Sequence, residues 1–76
     1  MKNGVVDNNN EACDIATMYD EQGDRQEYPA AKRASYLAAA NWFELAAACS
    51  IGHGRSQRYY EAAERCKAKA EAIKIE

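Results

Sequence analysis

One stretch decides the fold: PAAKRASYLAAANWFELAAACS, residues 29–50. Alanine, the best helix former, dominates this stretch, and no glycine or further proline interrupts it after Pro29. Pro29 itself suits the first turn of a helix, where its missing amide hydrogen is not needed. We therefore predict a helix over residues 29–50, which would be about 33 Å long at a rise of about 1.5 Å per residue.

The large side chains of this helix are predicted to form two apolar stripes. At about 100° per residue, Trp42, Leu45 and Cys49 fall on one side of the helix. Tyr36 and Phe43 fall on another side, more than a quarter-turn away. A surface helix normally has one apolar stripe. Either neighbouring helices bury both stripes as core, or one stripe is only partly covered and binds a partner protein.

A shorter helix is predicted to precede the central one, over residues 9–22. Asn8 and Glu11 have the spacing of a capping box at its start. Its apolar stripe consists of residues at spacings of three and four: Ala12, Ile15, Ala16 and Tyr19. Gly23 is predicted to end it, because glycine tolerates the left-handed backbone of a helix C-cap. Residues 1–8 are polar and are predicted to be a flexible terminus.

A third helix is predicted over residues 56–74, after a turn that contains Gly52 and Gly54. Ser56 suits the N-cap position. The apolar stripe of this helix consists of Tyr59, Ala62, Ala63, Cys66, Ala70 and Ile73. Because no segment alternates like a β-strand, the predicted fold is all-α. Residues 1–76 would form one small three-helix domain, in which the second and third helices make a helical hairpin like a tetratricopeptide helix pair.

Size and composition narrow the class of protein. A domain of 76 residues buries only about 60% of the surface of its unfolded chain, so we expect a homodimer or a tight complex with a partner. A net charge of −2 leaves no basic stripe for direct nucleic-acid binding. The N-terminal residues lack the long apolar stretch of a signal peptide, and we expect no membrane span. Three cysteines make no disulfide framework and indicate a cytoplasmic protein.

The residues that usually perform chemistry are sparse. His53 is the single histidine, and it has no companions at metal-ligand spacing. Cys49 and His53 could form a nucleophilic pair, but the sequence offers neither an orienting acid nor an oxyanion site. The cysteines are predicted to be small buried hydrophobes. We therefore expect a non-enzymatic protein without metal or cofactor, whose partner-binding residues are Tyr36, Trp42, Phe43 and Tyr60.

The order of motifs resembles a known family. The motifs are EQGD at residues 21–24, YLAAANW at 36–42, AAA at 46–48 and YYEAAERC at 59–66. Over residues 12–67 this order resembles the ANR family, small negative regulators of AraC-type transcription activators. The resemblance implies a bacterial or phage-borne cytoplasmic protein that binds an activator and blocks its action. Relative to the family pattern, Arg25–Ser35 reads as an eleven-residue insertion that lengthens the second helix by about three turns.

Two other functions fit the same residues. A phage or mobile-element inhibitor of host defence, of the anti-CRISPR or anti-restriction type, would share the small size, the near-neutral charge and the absence of a catalytic set. A structural helical module would act only by self-association. The three hypotheses agree on protein binding and differ in the partner.

Overall fold

The computed structural model describes residues 8–49, 54 and 56–74. It contains three α-helices: α1 at Asn8–Arg25, α2 at Pro29–Cys49 and α3 at Ser56–Ala72. None of the described residues lies in a β-strand. The prediction of an all-α, three-helix protein is therefore confirmed. Of the flexible terminus predicted at residues 1–8, residues 1–7 lie outside the described residues. Asn8 is the first residue of α1.

The central position of α2 organises the fold. Both α1 and α3 pack along α2, so the long alanine-rich helix has a neighbour on each of two sides. Its start at Pro29 agrees with the prediction. The amide of Lys32 donates to the carbonyl of Tyr28 at 2.8 Å, which places Pro29 in the first turn, where a missing amide hydrogen costs nothing.

The predicted end of α1 at Gly23 is wrong. The helix continues to Arg25, and Gly23 is buried inside it. The amide of Gln26 closes the last turn by donating to the carbonyls of Gln22 at 3.0 Å and Gly23 at 3.3 Å. Gly23 is therefore required for close packing rather than for a left-handed cap.

The end of α3 is also two residues earlier than predicted. The helix ends at Ala72, and the amide of Ile73 donates to the carbonyl of Ala70 at 3.1 Å, a tighter bond of the kind that often closes a last turn. The predicted turn between α2 and α3 falls mostly outside the described residues. Its Gly54 is described and has a φ of 75°, a left-handed conformation that favours glycine.

The core is built mainly from alanine. One buried cluster joins all three helices and consists of Ala16, Ala39, Ala40, Phe43, Ala62, Ala63 and Cys66. Its partly buried border consists of Cys13, Tyr19, Trp42 and Tyr59. Phe43 is the only large side chain inside the cluster, because the alanines bring the helix backbones close together and leave room for little else. Most of the stripes predicted for α1 and α3 contribute to this cluster or its border: Ala16 and Tyr19 from α1, and Tyr59, Ala62, Ala63 and Cys66 from α3.

Candidate protein-binding surface

The two stripes of α2 have different environments. Tyr36 and Phe43 are buried, with 5% and 8% of their surface exposed. Trp42 is half-buried, and Leu45 and Cys49 are exposed. The stripe of Tyr36 and Phe43 is therefore core, and the stripe of Trp42 is the partly covered one.

This burial corrects half of the predicted partner-binding set. Tyr36 and Phe43 lie inside the protein, so they do not belong to a surface that a partner could contact. They were placed there because helical spacing alone does not say which stripe a neighbouring helix covers. Trp42 and Tyr60 remain accessible, and partner binding by these two residues stays a prediction.

A groove between α1 and α2 runs along the partly covered stripe. Its volume is about 330 Å³, and its walls are Glu11, Ala12, Ile15, Trp42, Leu45 and Cys49. The walls are mainly apolar. Ile15 comes from the apolar stripe of α1, and Trp42 comes from the partly covered stripe of α2. The apolar stripe of α1 has only two large side chains, Ile15 and Tyr19, and the indole of Trp42 stays half-buried beside them.

Exposure increases outward from the groove. Ala12 is buried at its base, Ile15 and Trp42 are half-buried on its walls, and Leu45 is 47% exposed at its edge. Met18, one turn beyond Ile15 on the same side of α1, is 56% exposed. Large apolar side chains from both helices, Ile15 of α1 and Trp42 and Leu45 of α2, thus line the groove, an arrangement typical of binding sites.

Ile15 and Met18 were not predicted as site residues. The sequence contained a partial signal for Ile15, which is one of only two large members of a thin apolar stripe. It was interpreted as a residue that covers α2. The sequence did not indicate Met18 as a site residue, because it lies outside that stripe. It is exposed one turn beyond Ile15, which lines the groove.

The opposite side of α1 is held by a polar cluster around Tyr36. The hydroxyl of Tyr36 donates to Oδ1 of Asp24 at 2.6 Å. Nζ of Lys69, from α3, lies 3.0 Å from Oδ1 of Asp20 and 5.1 Å from the centre of the Tyr36 ring. Nζ of Lys32 donates to the carbonyl of Gly23 at 2.8 Å. These contacts join the end of α1 to both other helices, so the cluster is structural.

The cluster changes the acidity of its members. The hydrogen bond to Asp24, together with burial, raises the pKa of Tyr36 to about 12. The same bond, helped by the charges of Lys69 and Lys32, holds the pKa of Asp24 below its usual range. Donation from a neutral hydroxyl to a carboxylate favours this protonation state on both partners. The tyrosine is therefore a fixed donor at neutral pH.

The segment read as an insertion builds part of this cluster. Arg25–Ser35 comprises the last residue of α1, the connector at residues 26–28 and the first two turns of α2. It contributes Lys32, whose ammonium group binds the C-terminal carbonyls of α1 at Gly23 and Asp24. A cation at a helix C-terminus is stabilising because it complements the partial negative charge there. The segment thus fixes the angle between α1 and α2.

The cysteines differ from one another. Cys66 is buried, and burial raises the pKa of its thiol. Cys13 is partly buried, but Cys49 is exposed at the end of the groove, which corrects the prediction that all three are buried. None of them forms a disulfide. His53, the proposed companion of Cys49, lies outside the described residues.

The third helix presents a mostly charged outer face. Tyr60 is 48% exposed on it, while the neighbouring Tyr59 packs against the core. Lys67 pairs with Glu44 of α2 and, at 3.8 Å, with Glu64 one turn earlier. Lys67 thus links α3 to α2 through Glu44.

The described part of the chain contains neither a cluster that could hold a metal nor a helix that could cross a membrane. Among residues 8–49, 54 and 56–74, no three histidine, cysteine, aspartate or glutamate side chains are arranged to hold a metal ion. None of the three helices, over the residues described, combines the length and the apolar character that crossing a membrane requires. Comparisons of the chain with protein-family models, curated proteins and solved structures gave no match.

Proposed function

We propose that this protein is a small, non-enzymatic regulator that binds an AraC-type transcription activator through the α1–α2 groove and inhibits it. One observation supports protein binding above all: large apolar side chains border an open groove in a protein whose core is mainly alanine. The target class comes from the resemblance to the ANR family. In this proposal Trp42 and Leu45 contact the activator, and Phe43 supports them from the core.

The energetics favour this use of the groove. Fully burying a leucine or isoleucine side chain contributes about 1.5–3 kcal/mol, and Leu45 and Ile15 are both incompletely buried. Trp42 adds a rigid aromatic surface of the type enriched among the residues that dominate binding energy. A partner side chain that enters the groove would bury parts of all three at once.

The direct test is inhibition of a purified AraC-type activator. The protein is expected to form a complex with the activator and to reduce transcription from a promoter that the activator controls. Leu45→Ser should weaken both effects, because it removes an apolar edge of the groove. Leu37→Ser is the matched control, since Leu37 is on the same helix, is 38% exposed and does not line the groove.

Three results would count against the proposal. The first is normal transcription in the presence of the protein, without complex formation. The second is equal inhibition by the Leu45 and Leu37 variants. The third is a shift of promoter DNA by the protein alone at moderate salt, which would indicate direct nucleic-acid binding. If the complex formed with a host defence nuclease and not with an activator, the target class would change to that of an anti-restriction or anti-CRISPR inhibitor.

A further inference from the structure

Among the described residues, the groove is lined by one charged side chain, the carboxylate of Glu11, and it lies along an acidic helix. Helix α1 carries five acidic residues and one basic residue, a net charge of −4. Two of the acidic residues, Asp20 and Asp24, lie near Lys69 on the side toward α3. The other three take part in no ion pair among residues 11–49 and 56–74, and one of them lines the groove: Glu11, with Asp14 and Glu21 exposed farther along α1.

One carboxylate of α1 belongs to the groove, and a second lies one turn along the helix from it. Glu11 is one turn before both Asp14 and Ile15, and Glu11 and Asp14 are exposed. Glu11 lines the groove itself. The described wall that α2 contributes consists of Trp42, Leu45 and Cys49 and contains no basic residue. The groove is therefore apolar inside and acidic along one edge.

We propose that the groove receives a basic amphipathic helix of the partner protein. This inference rests on the proposed function and specifies the chemistry of the partner segment. One large apolar side chain of that helix packs between Ile15, Trp42 and Leu45. Lysine or arginine side chains on its flank lie over Glu11 and Asp14, and helix-in-groove binding of this type combines apolar anchors with charge complementarity.

The same charges disfavour other occupants. A symmetric pair of copies would place the same patch of each copy in the interface, so two acidic α1 helices would face each other. Nucleic acids and anionic membrane surfaces would be repelled by the carboxylates along the edge. A basic segment is the class of partner that gains from both the apolar walls and the acidic edge.

The experiment uses the full chain and two synthetic peptides as probes. Both peptides carry leucines at positions i, i+3, i+4 and i+7, and their polar positions are all lysine in one and all glutamate in the other. Trp42 is the only tryptophan, so its fluorescence reports directly on the groove. The lysine peptide is expected to bind at least tenfold more tightly than the glutamate peptide at low salt, and the difference should shrink as salt screens the charges.

Charge reversal on α1 provides the specific variant. Glu11→Lys combined with Asp14→Lys should remove or reverse the preference for the lysine peptide. Glu61→Lys combined with Glu64→Lys is the matched control, because it makes the same charge change at the same spacing on the exposed face of α3. The control should retain the preference. Circular dichroism checks that both variants remain helical.

Equal binding of the two peptides, preference for the glutamate peptide or binding of neither would overturn the inference. Sedimentation that shows self-association of the protein, abolished by Leu45→Ser, would also overturn it, since a second copy would then occupy the groove. Inhibition of the activator that survives charge reversal would refute the basic helix and leave the proposed function intact. Binding of the lysine peptide without inhibition of any activator would refute the proposed function and leave the inferred basic helix intact.

Discussion

The ring of Tyr36 packs directly on Gly23, so closely that a β-carbon on the glycine would lie 2.7 Å from Cε1 of the ring. The hydroxyl of the same ring donates to Asp24, the next residue of α1. The ring is therefore held at both its edge and its hydroxyl, and a larger side chain at position 23 would require it to shift. This contact fixes how closely α2 approaches the end of α1.

Gly23→Ala is expected to destabilise the protein. In an ordinary helix interior the substitution would stabilise by about 1 kcal/mol, because alanine is the better helix former. Here the added methyl group would overpack against Tyr36, at a cost of about 1–3 kcal/mol. We expect a net loss of about 1 kcal/mol in the free energy of unfolding, measured by urea denaturation. A gain in stability would show that the ring moves aside easily.

A double-mutant cycle provides the control for this contact. In a Tyr36→Leu background the ring is absent, so Gly23→Ala should become neutral or stabilising. The two substitutions are expected to couple favourably, in the range of about 0.5–3 kcal/mol that residues in contact show. Additive effects would mean that the cost of Gly23→Ala arises elsewhere in the helix.

Tyr36→Phe isolates the hydrogen bond to Asp24. It keeps the ring against Gly23 and removes only the hydroxyl. We expect a loss of about 1 kcal/mol, because a net hydrogen bond contributes about that much and the exposed Asp24 carboxylate can bind water instead. Thermal unfolding at neutral pH measures the effect. A loss of stability as large as that of Tyr36→Leu would show that the hydroxyl and the ring do not contribute separately.

Alkaline pH should weaken the same bond. The pKa of Tyr36 is about 12 in the folded protein, against a usual value of 10.0 for tyrosine. Because the folded state holds this proton more tightly than the unfolded state, the stabilisation is fully present below pH 10.0 and is lost as the pH rises toward about 12. The slope attributable to this residue is about 1.4 kcal/mol per pH unit in that interval.

Denaturation of the natural protein and of Tyr36→Phe at several pH values measures this slope. The variant serves as the control, because it differs from the natural protein only in the hydroxyl of Tyr36. The natural protein should lose its advantage over the variant as the pH rises. A constant difference between pH 9 and pH 11 would show that Tyr36 ionises with an ordinary pKa.

Three aromatic residues should differ in their contribution to stability. Phe43 is buried, Trp42 is half-buried at the groove and Tyr60 is exposed. We expect Phe43→Ala to cost about 3–5 kcal/mol and Trp42→Ala a smaller amount, about 2 kcal/mol. Tyr60→Ala should stay within about 0.5 kcal/mol of the natural protein. Since the first loss approaches the whole stability of a small domain, Phe43→Leu provides a milder variant that still folds. Equal unfolding midpoints for the Trp42 and Tyr60 variants would contradict the assignment of faces.

The sequence predicted the helices better than it predicted their ends. The helix preference of alanine and the first-turn preference of proline are both local properties of the chain. The start of α2 therefore needed no tertiary information. Gly23 was predicted to stop α1 because glycine commonly does so. It serves here as the site of close packing against Tyr36, a residue thirteen positions away, and local pattern contains no information about such a contact.

The candidate site was predictable only in outline. Two stripes on α2 and a thin stripe on α1 were visible in the sequence, and they left open whether both stripes are core or one is only partly covered. Periodicity gives the angle between side chains but not the position of the neighbouring helix. The choice between Phe43 and Trp42 as the buried residue therefore could not be made from spacing.

By itself the sequence determined the all-α class, the number of helices and the residues available to each helix face. Helix propensity and apolar spacing act within a few residues of one another, so they are present in the chain before it folds. The tertiary structure alone decided that Tyr36 and Phe43 are core, that Trp42 and Leu45 border a groove, and that Ile15 forms part of its opposite wall. Those outcomes depend on where α1 and α3 pack along α2, and contacts between residues distant in sequence fix those positions.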